Sequence, residues 1–128
     1  MKEFEALTAE VKKQITKSWE LDDRFPCCVA VIPYDKSVSA NRLLSELFDN
    51  AYDHRTIKKS SKQEKQMAKI FSGVSRDQYL FTKSIDAVTL FCAWWPWGDK
   101  SQVSLRIGLF SHDDSVLSQE DVIQTIKR

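Results

Sequence analysis

Few side chains in this sequence are of the types that carry out covalent chemistry. The chain has only two histidines and three cysteines, Cys27, Cys28 and Cys92. A cysteine nucleophile needs a histidine base and an orienting carboxylate within hydrogen-bond reach. Cys92, His54 and Asp53 supply these residue types, but nothing in their spacing favours such an arrangement. No catalytic residue is therefore predicted.

The sequence also offers little to bind a metal or a cofactor. His112 precedes Asp113 and Asp114, but neighbouring carboxylates without a second histidine nearby are weak evidence for a metal site. Cys27 and Cys28 are adjacent in a predicted strand, so their side chains point to opposite faces and do not chelate one ion. Three glycines leave little material for a phosphate-binding loop, and the known nucleotide and hydrolase motifs are absent. We expect no metal, no cofactor and no enzyme activity.

Basic residues are concentrated in one segment of a chain whose net charge is only +1. Residues 55–69 contain one acidic residue, Glu64, and six basic residues: Arg55, Lys58, Lys59, Lys62, Lys65 and Lys69. Such a basic segment is suited to hold a phosphate backbone. A solvated helix face gives the same pattern, and no aromatic residue is interleaved to stack on bases. Both interpretations of this basic segment stay open.

Three of the four tryptophans lie in the stretch CAWWPWGDK. Trp94 and Trp95 are adjacent in a predicted strand and therefore point to opposite faces. Trp97 lies in the turn that follows. It either folds back as a lid over the core or joins Trp95 in an exposed aromatic patch of the kind found at protein interfaces. A membrane-interface belt is a third interpretation, but no hydrophobic span or basic amphipathic helix is adjacent.

The elements that position these residues follow from hydrophobic spacing. Apolar residues at steps of three or four predict a helix over residues 3–19: Phe4, Leu7, Val11, Ile15 and Trp19. The run CCVAVIPY predicts a buried strand near the centre of a sheet. A second helix follows, with Ser39 as its N-cap. A third helix begins near Ser61, buries Met67, Ile70 and Phe71, and stops at Gly73.

The apolar period changes to two in the C-terminal half of the chain. QYLFTK, IDAVTLFCAWW and QVSLRIGLF predict three successive antiparallel strands. Strand 86–95 is apolar on both faces, which indicates cover on both sides, whereas strand 102–110 keeps a polar face through Gln102, Ser104 and Arg106. A final short helix begins at Ser118, with Asp121 in the capping-box position.

The predicted order of elements is α-β-α-α-β-β-β-α, without an internal repeat. It indicates one α+β domain over residues 1–128, built as a mainly antiparallel sheet of about four strands with helices packed on one face. The charged N-terminal stretch lacks the apolar core of a secretory signal, and no run approaches the ~18 apolar residues of a membrane span. We expect a cytoplasmic protein that does not associate with membranes.

The sequence favours binding over catalysis. The predicted function is that of a small non-enzymatic protein of inhibitor, immunity or adaptor type that binds another protein through an aromatic hairpin surface. The candidate partner-binding residues are Trp95, Trp97, Asp99 and Arg106. Nucleic-acid binding by the basic segment is the alternative. A deep ligand pocket lined by His54 or Cys92 would favour a third interpretation.

Overall fold

A computed structural model describes residues 2–15, 19–22, 27–71, 73–111, 121, 122 and 124. The helices are α1 (Lys2–Gln14), α2 (Ser37–Leu47) and α3 (Lys62–Ala68). The strands are β1 (Glu20–Asp22), β2 (Cys27–Pro33), β3 (Asn50–Tyr52), β4 (Tyr79–Ile85), β5 (Val88–Pro96) and β6 (Gln102–Ser111). Short 3-10 turns span Tyr34–Lys36, Thr56–Lys59 and Lys69–Phe71. The predicted α+β class is confirmed.

The strands form one sheet in the order β1-β2-β6-β5-β4-β3, and every neighbouring pair is antiparallel. The prediction of about four strands was therefore wrong, because the described part of the chain alone forms a sheet of six strands. The two missed strands, β1 and β3, have three residues each and lie at the two edges. Three residues are too few to show an alternating pattern, so the sequence carries no period-two signal for either strand.

One face of the sheet, called here the main face, carries the larger core. Its strand residues come from β2, β6, β5 and β4 and include Cys28, Leu105, Cys92 and Trp94. They pack against buried residues of α1 and α2, among them Phe4, Val11 and Leu44. The apolar stripe of each helix is thereby removed from water, which supplies the dominant favourable term in folding.

The opposite face, called the second face, carries a smaller core under α3. Met67 and Ala68 of α3 pack with Leu80 of β4 and with Phe91 and Ala93 of β5. The prediction that all helices pack on one face was therefore wrong. Because β5 is apolar on both sides, Phe91 and Ala93 also need cover, and α3 provides it.

Helix boundaries differ from the predictions at three places. α1 ends at Gln14, and Trp19 lies outside the helix and donates its Nε1 hydrogen to the carbonyl oxygen of Ile15 at 3.1 Å. Ser39 is not an N-cap, because a 3-10 turn leads directly into α2 and the Ser39 hydroxyl donates to the carbonyl oxygen of Lys36. Ile70, predicted to be buried, is 42% exposed and lies in the 3-10 turn Lys69–Phe71, where the regular helical spacing no longer holds.

Other predicted boundaries are confirmed. Ser61 caps α3 and forms a reciprocal capping box with Glu64. Gly73 ends this region at φ 87°, a left-handed conformation that favours glycine, and its N–H donates to the carbonyl oxygen of Ala68. Of the predicted final helix, Ser118 lies outside the described residues, while Asp121 has helical backbone. No helix in the described part of the chain has the length and apolar character needed to cross a bilayer.

Candidate functional site

The second face is covered by described elements over only part of its width. α3 and the 3-10 turns beside it lie over β4 and β5, whereas β2 and β6 at the other side of the same face carry half-buried side chains. They lie beside Trp95, near the end of β5, and Trp97, in the turn that follows. We call this patch the tryptophan–arginine surface; it consists of Val29, Val31, Trp95, Trp97, Ser104 and Arg106. Strand register explains why they meet, because Arg106 is paired with Val29 and Ser104 with both Val31 and Trp95.

Arg106 lies at the centre of this surface. Its guanidinium carbon is 5.2 Å from the centroid of the Trp95 ring, a distance at which a cation is attracted to the face of an indole. Nη1 donates to Asp22 Oδ2 at 2.8 Å and approaches the Cys27 sulfur at 3.7 Å. Burial is the largest single influence and lowers the pKa of Arg106, but the hydrogen bonds and charges of Asp22 and Cys27 together outweigh burial and raise that pKa. The Asp22 carboxylate therefore holds the guanidinium in place. The buried Nε of Arg106 has no hydrogen-bond partner among the described residues.

Trp95 connects the covered and uncovered parts of the second face. Its ring meets Phe71 edge-on with the centroids 5.4 Å apart, and Phe71 in turn meets Phe91 edge-on at 5.1 Å. Edge-to-face contacts of this kind add to the stabilisation that burial provides. Because Trp95 is packed on one side and half-exposed on the other, the surface is anchored to the smaller core.

Trp97 is held in the turn that joins β5 to β6. The backbone N–H of Trp97 donates to the Gln102 carbonyl oxygen at 2.8 Å, and the indole Nε1 donates to the Ser104 hydroxyl at 2.9 Å. The side chain is nevertheless 42% exposed. A large ring that is already fixed by a hydrogen bond loses little conformational entropy when a partner covers it.

Asp99 serves the turn itself. Its Oδ1 accepts hydrogen bonds from the Ser101 amide at 3.0 Å and from the Ser101 hydroxyl at 2.7 Å. The hydroxyl bond is the main reason why the pKa of Asp99 is lowered. The structure therefore brings Trp95, Trp97 and Arg106 together, whereas the Asp99 carboxylate shapes the loop that presents Trp97.

All six basic residues of the basic segment are exposed, and no salt bridge to any of them occurs within the described ranges. The one acidic residue of the segment faces inward: Glu64 is 5% exposed. Its carboxylate accepts hydrogen bonds from the Tyr52 hydroxyl, from the Ser61 hydroxyl and amide, and from Thr82 on β4. Burial, followed by the bond to Glu64, raises the pKa of Tyr52 to about 12.

The cysteine and histidine candidates are not brought together. Cys92 has no solvent exposure on the main face, and burial raises the pKa of its thiol. Asp53 accepts hydrogen bonds from the amides of Arg55 and Thr56, and the Thr56 bond contributes most to the lowering of its pKa. A thiol held neutral in a core is a poor nucleophile.

Metal-ligating residue types do not converge in the described ranges either. No group of three histidine, cysteine, aspartate or glutamate side chains there is close enough to hold an ion. His112, Asp113 and Asp114 lie outside the described residues. Cys27 and Cys28 point to opposite faces as predicted, since Cys28 belongs to the main core and Cys27 contacts Arg106.

Two features of the molecular surface, one on each face of the sheet, were not predicted from the sequence. One is the position of Asp22 next to Arg106, which depends on the pairing of β1 with β2. The other is a groove lined by Tyr34 and Tyr79, which are far apart in the chain and meet only through the fold. Neither feature has a local sequence signal.

No protein-family model matches the chain, and neither a curated protein nor a solved structure matches it significantly.

Proposed function

We propose that this chain is a small non-enzymatic binding protein, of inhibitor, immunity or adaptor type, that holds another protein on the tryptophan–arginine surface. One observation carries the proposal: Trp95, Trp97 and Arg106 converge on a part of the second face that no described helix covers. Tryptophan and arginine are the residue types that most often dominate the binding energy of protein interfaces.

The composition of this surface supports a protein partner. Val29 and Val31 add apolar area beside Arg106 and Ser104, and Arg106 adds one cation that is already paired with Asp22. A partner that covers these side chains gains apolar burial without leaving the cation unpaired in a dry interface. Apolar side chains mixed with oriented polar groups are typical of protein interfaces, whereas a phosphate-binding surface needs several unpaired basic groups.

Copurification from the native host with the tagged chain tests the proposal. Trp97→Ala should lower the affinity for the captured protein by about 30-fold or more, as expected for a central aromatic residue. Ile70→Ala is the matched control, because Ile70 is also 42% exposed but lies on the α3 side of the face. The proposal is wrong if both variants retain the same protein as the wild type, or if nuclease releases the captured material.

A second candidate function is nucleic-acid binding by the basic segment, and the inward position of Glu64 favours it. Because Glu64 is bonded to Tyr52, Ser61 and Thr82, its charge does not pair with the lysines at the surface. The six exposed basic groups therefore present their full charge to solvent. A nucleic acid that binds such a surface would release its condensed cations into solution, because the lysines and the arginine neutralise its phosphates.

Replacing Lys62, Lys65 and Lys69 together by glutamine tests this second candidate. If the basic segment binds nucleic acid, the triple variant weakens binding to every sequence and flattens its salt dependence by about one counterion per lysine. Lys13, Lys36 and Lys100 are exposed on other elements, and their triple glutamine variant serves as the control. A mobility-shift assay without binding by the wild type at low salt excludes this function.

A further inference from the structure

A groove at one end of the sheet, on the main-face side, gathers exposed aromatic residues. Its volume is about 300 Å³, and we call it the tyrosine groove after its lining by Tyr34, Val38, Asp77, Tyr79, Trp94 and Pro96. Tyr34, Val38 and Tyr79 are 40%, 71% and 38% exposed. Exposed apolar side chains that gather at one place mark binding sites more often than scattered ones do.

The walls of the tyrosine groove are fixed by the sheet. Tyr79 is paired in register with Trp94, and its ring stacks on Phe81 with the centroids 6.3 Å apart. On the other side, the amide of Tyr34 donates to the Ser101 carbonyl oxygen at 3.0 Å. Trp94 is only 5% exposed and belongs to the main core. The groove is therefore formed before any ligand arrives.

The tyrosine groove also carries hydrogen-bond donors that no described residue engages. The hydroxyls of Tyr34 and Tyr79 and the indole Nε1 of Trp94 make no hydrogen bond within the described ranges. Among the lining residues of the described chain, Asp77 is the only charged one. It has φ 70°, so a non-glycine residue holds a left-handed conformation there. Aspartate is one of the residue types that tolerate this conformation in turns.

We propose that the tyrosine groove binds a proline-rich segment of a partner protein in the polyproline II conformation, with a basic residue of that segment beside Asp77. A polyproline II helix has no internal hydrogen bonds, so its carbonyl oxygens need external donors. Its pyrrolidine rings pack on aromatic walls, and its rigidity keeps the entropy loss on binding small. The donors and rings of the groove match both needs.

Charge selects this occupant over a nucleic acid. Aromatic rings also stack on bases, but single-stranded nucleic acid requires basic residues along its backbone. The tyrosine groove instead presents the carboxylate of Asp77, which repels phosphate and attracts arginine or lysine. The inference does not rest on the proposed function, because the groove lies on the main-face side and the tryptophan–arginine surface on the second face.

Fluorescence anisotropy with a labelled peptide tests the inference on the full chain. The probe is ten prolines with an arginine at each end, and the control peptide replaces the prolines by alternating glycine and serine. We expect saturable binding of the proline peptide alone. Tyr34→Ala and Tyr79→Ala should each weaken binding by about tenfold or more. Asp77→Asn should weaken the arginine-flanked peptide and leave decaproline without arginine unchanged.

Leu21→Ala is the matched control, because Leu21 is 37% exposed on β1 and does not line the groove. Thermal melts of all variants confirm that they fold. The inference is overturned if the wild type shows no saturable binding up to about 1 mM peptide, a very weak affinity. It is also overturned if the glycine–serine peptide binds equally, or if light scattering shows a dimer that Tyr79→Ala dissociates.

Discussion

On the main face, α1 and α2 pack against residues from β2, β6, β5 and β4, whereas on the second face α3 packs mainly against β4 and β5, with Phe110 of β6 beside them. Within the described ranges, the same strands therefore support a core that helices cover on one side and a surface that α3 covers only in part on the other. Trp94 and Trp95 are neighbours in β5 and illustrate the difference, since Trp94 is 5% exposed and Trp95 is half-buried beside Arg106.

This difference separates the residues that hold the fold from those that are available for binding. A side chain in the closed core contributes to the free energy of unfolding by its burial. A side chain on the tryptophan–arginine surface has part of its area left to bury, and that area is available to a partner. Substitutions in the main core should therefore lower the free energy of unfolding, whereas substitutions on the tryptophan–arginine surface should lower the affinity for a partner.

Trp94→Ala should have the largest effect on stability. Removal of a buried indole from the main core lowers the free energy of unfolding by about 3 to 5 kcal/mol, through lost burial and the cavity left behind. Urea unfolding measured by circular dichroism gives this value. A loss below about 1 kcal/mol, the size typical of many single substitutions, would mean that the main face is not the closed one.

Glu64→Ala should have the next largest effect, because Glu64 ties α3 to the sheet. The variant removes the capping box and leaves the hydroxyls of Tyr52 and Thr82 without their acceptor, at a cost of about 2 to 3 kcal/mol. Urea unfolding again provides the measurement, with Glu46→Ala on the exposed side of α2 as the control. Equal stability of the two variants would show that the second-face cover does not depend on this carboxylate.

The Tyr52–Glu64 contact also predicts a pH dependence. The pKa of Tyr52 is raised to about 12 in the folded chain, against about 10 in an unfolded one. The neutral phenol therefore contributes stability that is fully present below pH ~10 and is lost as the pH rises toward ~12. The free energy of unfolding of the wild type should fall more steeply over this range than that of Tyr52→Phe. If the free energies of unfolding of the two proteins change in parallel with pH, the raised pKa of Tyr52 is wrong.

The smallest effect on stability is expected at the open side. Trp97→Ala removes an exposed ring and its bond to Ser104, and should change the free energy of unfolding by about 0.5 kcal/mol. Trp95→Ala should fall between Trp97→Ala and Trp94→Ala, because Trp95 also packs against Phe71. Thermal melts of the three variants give the order. If Trp97→Ala is as destabilised as Trp94→Ala, Trp97 is a core lid and the exposed-patch interpretation is wrong.

The sequence predicted the parts of the fold that depend on residues close together in the chain. The alternation in β6, the start of a helix near Ser61 and the opposite directions of Trp94 and Trp95 all follow from short-range geometry, and the structure confirms them. Placement of α3 did not follow, because a helical pattern marks the apolar side of a helix but not the sheet face that it meets.

The candidate site was predicted only in part for the same physical reason. Trp95, Trp97 and Arg106 were selected by residue type and strand position. The stacking of Arg106 on Trp95 depends on the register between β5 and β6, and its bond to Asp22 joins residues 84 positions apart. Contacts of that range depend on the whole sheet and leave no trace in the local spacing of residues.

Photo-crosslinking in the native host shows whether a partner protein lies on the tryptophan–arginine surface. A benzophenone amino acid replaces Trp97 in one variant and Ile70 in a second, and the covalent products are resolved by mass after irradiation. If a protein binds this surface, we expect one discrete protein adduct from position 97 and none from position 70. Adding Arg106→Glu should abolish the position-97 adduct. The same adduct from both positions, or none from position 97, would contradict this expectation.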